Sequence, residues 1–163
     1  VNSALIGVGL RDQIRIIASG KMFSAFHILR ALALGADTVN SARGMMLALG
    51  CIQSRTCNTD HCPTGIATQN PSRNKAIIVT DKAQRVANFH HETVKNLVEL
   101  MGAAGLDNVE NLGPKHINRR VQGTDVKNYA QLYPQLSLAC LLDIKTIPED
   151  WKYDWDNAQA SIW

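Results

Sequence analysis

Three of the four cysteines in this sequence fall inside thirteen residues, "CIQSRTCNTDHCP", from Cys51 to Pro63. The spacing is C-x5-C-x4-C, formed by Cys51, Cys57 and Cys62. Thiolates are soft ligands that suit iron–sulfur clusters and zinc. Three of them suit a cluster with three irons, one thiolate to each. A four-iron cluster needs a fourth donor, for which Asp60 or His61 is in place. Pro63 follows the last cysteine, as a proline does in bacterial ferredoxin motifs. Zinc is the competing metal, through Cys51, Cys57, Cys62 and His61, although its usual cysteine pairs lie closer together. The third reading is three ordinary thiols.

A second chemical signal precedes the first. "ASGKMFSA" follows one short apolar run and "NSARG" follows the next. Small residues there let backbone amides approach an anion, and a helix N-terminus adds partial positive charge. Lys21 and Arg43 add full charges. Ser19, Gly20 and Lys21, with Ala42, Arg43 and Gly44, are therefore candidate phosphate-binding residues. In (β/α)8 barrels a phosphate site commonly lies after strands seven and eight, and two consecutive βα turns fit that layout. Plain turn chemistry explains the same glycines.

The elements that position these residues read as α/β. "VNSALIGVGL" reads as a helix ending near Gly9, and "QIRIIAS" (13–19) as a buried strand. Ser24 caps a helix whose apolar stripe is Ile28, Leu29, Leu32 and Ala33, with Gly35 as its stop. "DTVNSA" (37–42) is a second strand, and "RGMMLALG" opens another helix with Gly44 at its start. Helix, strand, helix, strand, helix is the order of βα units in a parallel sheet. Two strands leave long open edges, so partners or further residues must complete the sheet.

Residues 51–73 are loop-like, punctuated by Pro63, Gly65 and Pro71. A long helix follows, capped at Thr80 or Asp81 and closed by Gly105. Its predicted core face is Val86, Phe89, Val94, Leu97, Val98 and Met101. His90 and His91, without a further ligand at a clear spacing, read as structural or surface residues. "KHINRR" (115–120) reads as a solvated helix end. Trp151, Trp155 and Trp163 are expected to pack the tail down, and Cys140 to be a buried thiol.

Composition limits the alternatives. A hydrophobic fraction of 45% is enough for a core, and a net charge of +3 is too weak to indicate nucleic acid without a concentrated patch. No stretch approaches the ~20 apolar residues of a membrane span. Arg11, Asp12 and Arg15 interrupt the first apolar run, so no signal-peptide layout is visible. A cytoplasmic, reducing compartment is the expectation, which argues against disulfides. The sequence begins at Val1 rather than Met and is read as the C-terminal piece of a longer chain.

Together the two signals resemble a known family. "GCIQSRTCNTDHCPTGIATQ" (50–69) resembles the iron–sulfur loop of the glutamate synthase large subunit. That family carries the same cysteine spacing followed by C-P-x-G-x-A-T-Q, matched here by Cys62, Pro63, Gly65, Ala67, Thr68 and Gln69. "ALGADTVNSARGMMLALGC" is similar to the last strand and helix of the family's FMN-binding barrel, and "IIASGK" falls where the strand-seven phosphate loop should be. The resemblance runs from about Gly9 to Leu106. The S-G-K loop and the helix "DKAQRVANFHHETVKNLVELMGAAGL" look closer to shorter, stand-alone FMN-binding glutamate synthase-like proteins, which lack the amidotransferase domain.

The resemblance implies the C-terminal part of a (β/α)8 TIM barrel, its last two βα units, followed by a cysteine loop and C-terminal helices. Residues 1–50 would end the FMN-binding barrel, 51–75 would form the iron–sulfur loop, and 76–163 a helical extension. It implies a [3Fe-4S] cluster on Cys51, Cys57 and Cys62, and the FMN phosphate on Ser19, Gly20, Lys21, Ala42, Arg43 and Gly44. The implied activity is an oxidoreductase making L-glutamate from 2-oxoglutarate and ammonia or glutamine nitrogen. Electrons would come from ferredoxin or an NAD(P)H-linked subunit, through the cluster to FMN. Two departures stand out: the family's fuller glycine-rich loop is replaced around residues 19–25, and Asn58 stands where a His is common. A whole barrel of this type needs about 250 residues, so residues touching the flavin ring and substrate would lie on earlier strands, and this chain alone is expected to bind FMN poorly. Two alternatives remain: a non-catalytic, metal-stapled assembly module, and an FMN oxidoreductase acting on another imine or amino acid.

Overall fold

A computed structural model describes residues 1–161. Helix α1 (Asn2–Gly7) leads into strand β1 (Ile17–Ala18), helix α2 (Ala25–Ala33), strand β2 (Thr38–Val39) and helix α3 (Ala42–Leu49). β1 and β2 pair in parallel, Ile17 opposite Thr38 and Ala18 opposite Val39, with α2 as the crossover. The predicted α/β order is therefore present, as one βαβ unit with α3 following. The strands are much shorter than the runs 13–19 and 37–42. Gln13 lies in a 3₁₀ turn and Ile14 is extended, but among the described residues no second neighbour strand is present to lengthen the ladder.

One arginine–aspartate pair ties this unit together. Arg11 Nη2 lies 2.9 Å from Asp37 Oδ2 and 3.0 Å from the Gly35 carbonyl, while Arg11 Nε donates to Asn2 Oδ1 at 2.6 Å. The Ile16 N–H also donates to Asp37 Oδ2, at 2.7 Å. The start of β2 is thus fixed to α1, to the end of α2 and to the entry of β1. The Ile16 amide and the Arg11 guanidinium hold the Asp37 carboxyl down at about 2, below its ordinary 3.8.

The Ser24 hydroxyl accepts from the His27 N–H and caps α2, as expected. Beyond the cysteine loop, a short helix α4 (Pro71–Asn74) precedes the long α5 (Val79–Ala103). No side chain caps α5. It begins slightly earlier than Thr80 or Asp81 would set, with Ile78 at the N-cap, and Asp81 sits inside the first turn, where its charge favours the helix dipole. α5 packs across α2 and α3. Val86, Phe89, Leu97 and Met101 are on or near the packed face, but Val94 is 45% and Val98 62% exposed. At 100° per residue the stripe 86, 89, 93, 97, 100–101 leaves positions 94 and 98 on its flank, so those two members of the predicted core face are corrected. His90 and His91 are both exposed on α5.

The extension is not wholly helical. "KHINRR" contains a 3₁₀ turn at Pro114–His116 and then strand β3 (Asn118–Gln122), antiparallel to β4 (Asp125–Asn128). The sequence reading took its cations for a helix end. Gly123 instead turns the chain with φ 56°, and Arg119 and Arg120 stand on an exposed ribbon. Short helix α6 (Tyr129–Leu132) and α7 (Glu149–Asn157) follow.

Two apolar clusters hold the tail. Leu29 and Ala33 of α2 and Met101 of α5 bury Leu112, Ile117 and Tyr129. Leu136, Cys140, Leu141 and Ile147 pack with Val8, Trp151 and Trp155. Trp151, Trp155 and Cys140 behave as expected, while Trp163 lies outside the described residues. No helix among the described residues is long and apolar enough to cross a membrane.

Candidate functional site

The turns after β1 and β2 open onto one cavity of about 610 Å³. Ser19, Gly20, Lys21, Ala42 and Arg43 line it, and so do Cys51 and Cys57. The two βα turns and two of the three clustered cysteines therefore meet at one concavity, and Cys62 is not among its lining residues. Gly20 and Lys21 both adopt left-handed backbone, φ 109° and 55°, so the chain turns sharply between β1 and α2.

The first turn of α3 forms part of the cavity wall. Ser41 occupies its N-cap position but donates its hydroxyl to the Met22 carbonyl, so no side chain caps the helix. The backbone N–H groups of the first turn have no partner within a helix and favour an anion. Gly44, a phosphate candidate, does not line the cavity. It is buried where α3 meets α5: an added Cβ would lie 2.5 Å from the Ser41 hydroxyl and 3.2 Å from the Phe89 ring. Its lack of a side chain leaves room for the Ser41 hydroxyl and the Phe89 ring, and its backbone N–H belongs to the first turn.

Residues 51–70 carry the thiols on a loop with little regular structure. Four polar bonds shape it. The Gln69 N–H donates to Asp60 Oδ1 at 2.6 Å, and the Thr68 hydroxyl to the Asp60 carbonyl at 2.6 Å. Arg73 Nη1 donates to the His61 carbonyl at 2.8 Å, and the Thr59 hydroxyl to the Thr56 carbonyl at 2.8 Å. Gly65 is buried with φ 79°, and an added Cβ there would sit 2.3 Å from the Arg73 carbonyl oxygen. Asp60, one candidate fourth donor, is thus occupied in closing the loop. His61 is exposed.

The three thiols have different surroundings. Cys57 is exposed, Cys51 half-buried and Cys62 buried; Cys140 lies elsewhere, and all four are free. Cys62 Sγ lies 3.4 Å from the Thr64 hydroxyl. That hydroxyl, with the N–H groups of Ala67, Thr64 and Ile66, pulls the Cys62 thiol down from 9.0 to about 7 against the opposing effect of burial. A thiolate held by several N–H groups is the form that binds soft metals and clusters, and such hydrogen bonds tune a cluster's potential.

Among the described residues, no three His, Cys, Asp or Glu side chains converge into a set that could hold a metal ion. Neither the zinc set of Cys51, Cys57, Cys62 and His61 nor the three-thiol set of Cys51, Cys57 and Cys62 is therefore assembled here. The donor chemistry, three free thiols on one short loop with one of them biased toward thiolate, is of the kind that suits an iron–sulfur cluster or zinc.

The sequence reading missed the groups that shape the site. Thr64 stands two residues from Cys62, a local pattern that could have been found. Asp60 and Gln69 stand out in the sequence as a possible donor and a motif residue, but no spacing rule points to the bond between them, nine positions apart. Gln53 and Arg55 also line the cavity, and no motif in the sequence marks them.

A family model described as "Conserved region in glutamate synthase" matches residues 1–107. The chain is 40% identical over 135 residues to the glutamate synthase large subunit-like protein YerD of Bacillus subtilis, covering 83% of this chain and 26% of that protein. It is 41% identical over 112 residues to the archaeal glutamate synthase (NADPH) of Methanocaldococcus jannaschii, covering 69% and 22%. With the glutamate synthase (NADPH) large chain of Bacillus subtilis the identity is 29% over 139 residues, covering 85% and 8%. The chain thus spans about a quarter, or less, of the length of these relatives.

Proposed function

Given that this chain belongs to the glutamate synthase family, we propose that it forms the cofactor-holding end of a glutamate synthase-type oxidoreductase. In this reading β1, α2, β2 and α3 are the last two βα units of a (β/α)8 barrel whose other strands lie outside this chain. The product is L-glutamate, made from 2-oxoglutarate and ammonia or glutamine nitrogen. The compartment is the cytoplasm, in keeping with four free thiols.

Ser19, Gly20 and Lys21, with the first turn of α3 at Ala42, Arg43 and the Gly44 amide, hold the phosphate of FMN. Cys51, Cys57 and Cys62 hold a [3Fe-4S] cluster. When bound, the flavin supplies hydride transfer to the substrate carbon and the cluster relays single electrons from a reduced donor, ferredoxin or an NAD(P)H-linked subunit. The chain's own residues bind and orient. Lys21 and Arg43 neutralise phosphate charge, the uncapped amides of α3 receive its oxygens, and the Thr64 hydroxyl with the nearby N–H groups favours the thiolate of Cys62 near neutral pH. The observation that carries the reading is that the phosphate turns and the cysteine loop share one cavity.

The test is iron and acid-labile sulfide analysis of the full-length protein prepared anaerobically, with low-temperature EPR of its oxidised form. A three-iron signal that disappears in Cys57→Ser is the expected result. Stoichiometric zinc without iron would reduce the loop to a structural staple and overturn the reading.

A further inference from the structure

The cavity holds a cation that neither the phosphate turns nor the thiols account for. Arg55 lies between Cys51 and Cys57 in sequence and lines the same space as Lys21 and Arg43. No carboxylate lines that space, and among the described residues none of these three cations takes part in an ion pair. Three positive side chains around one concavity repel one another until an anion sits among them. Backbone strain is concentrated there as well. Of the five described non-glycine residues with left-handed backbone, three line this cavity: Lys21 at φ 55°, Gln53 at 57° and Arg55 at 60°. Such conformations persist where the surroundings hold them and cluster at ligand sites.

We infer that Arg55 is a phosphate-positioning residue: it reaches from the cysteine loop to the anion held by Lys21, Arg43 and the first turn of α3, with Gln53 beside it. This rests on the flavin reading above and deepens it. A guanidinium can grip two oxygens of a phosphate monoester at once, which a lysine ammonium cannot do with the same geometry. The phosphate then bridges the βα turns and the cysteine loop, so that binding it orders residues 53–55. One anion fixes both halves of the cavity.

The discriminating pair of probes is FMN and riboflavin, which differ only by the phosphate. Affinities are measured on the full-length protein by quenching of flavin fluorescence. In Arg55→Gln, FMN affinity should fall about tenfold to a hundredfold, as expected for losing a charge-assisted hydrogen bond, with riboflavin affinity changed less than about twofold. Arg55→Lys should recover part of the loss. Hydrogen exchange of the unsubstituted protein gives an independent readout: FMN should protect the amides of residues 53–55 and riboflavin should not. If the unsubstituted protein prefers FMN but Arg55→Gln keeps that preference, Arg55 does not serve the phosphate and this inference fails alone. It fails in the same way if Arg55→Gln alters only iron content or the EPR signal, which would assign the cation to the thiolates. If the unsubstituted protein binds riboflavin as tightly as FMN, both the inference and the phosphate assignment fail.

Discussion

Residues 51–70 and residues 106–148 are both largely irregular chain, yet one is pinned by polar groups and the other by apolar ones. In the cysteine loop only Cys62 and Gly65 are buried, and the shape comes from Asp60, Thr68 and Arg73 bonding to backbone. In the tail Leu112, Ile117, Tyr129, Leu136, Leu141 and Ile147 are buried in two clusters against α1, α2 and α5. Apolar burial is non-directional and strong, so the tail can steady the helices behind the site without constraining any one atom. Hydrogen bonds are weaker in net terms but directional, so they can aim Cys51, Cys57 and Arg55 at a cavity while leaving them open to it. The loop proposed to carry the chemistry is thereby kept separate from much of the burial that holds the fold.

The largest test of this contrast is Leu141→Ala. Leu141 is 2% exposed and lies against Gly7 of α1. Truncation should cost about 2–5 kcal/mol, read as a lowered urea midpoint, while the iron content of the protein that remains folded stays unchanged. A simultaneous loss of iron would break the proposed separation. Gly65→Ala comes next, because it combines left-handed backbone with a clash at the Arg73 carbonyl. It should cost about 1–3 kcal/mol, expressed as faster proteolysis within residues 51–70 with little change in the unfolding of α2 and α5. A uniform loss across the molecule would mean the loop and the helices unfold as one.

The smallest effect concerns a polar pin outside both regions. Asp37 is more acidic folded, at about 2, than at its ordinary 3.8. Its contribution to stability is therefore present above 3.8 and is lost as pH falls through about 2. Denaturation midpoints measured from about pH 5 down to about pH 2 should decline in the unsubstituted protein and flatten in Asp37→Asn. Parallel curves would remove Asp37 from this role.

The sequence alone carried what depends on local chemistry. The C-x5-C-x4-C spacing, the Ser24 cap, the alternation of helices and strands, and the small residues at two βα turns are all written within a few consecutive positions. They rest on backbone geometry and ligand chemistry that neighbours in the chain set by themselves. Strand lengths were overread because a strand's extent depends on which partner lies beside it. Val94 and Val98 were placed in the core because apolar type does not say which flank of a helix meets α2 and α3. The β3–β4 ribbon was missed because its cations resemble a helix end until Gly123 reverses the chain.

What tertiary structure decided was convergence. Lys21, Arg43, Cys51 and Arg55 are separated by up to 34 residues (55 minus 21), and no local rule brings them to one cavity. At Gly44 a side chain would meet the Ser41 hydroxyl and the Phe89 ring, so packing leaves only its backbone amide to the phosphate turn. Asp60 is a metal donor by type, and the structure engages its Oδ1 with the Gln69 amide. Residue type and spacing determine which reactions a segment can support; the packing of distant segments determines which of those groups face the same space, because that depends on contacts no single stretch of chain contains.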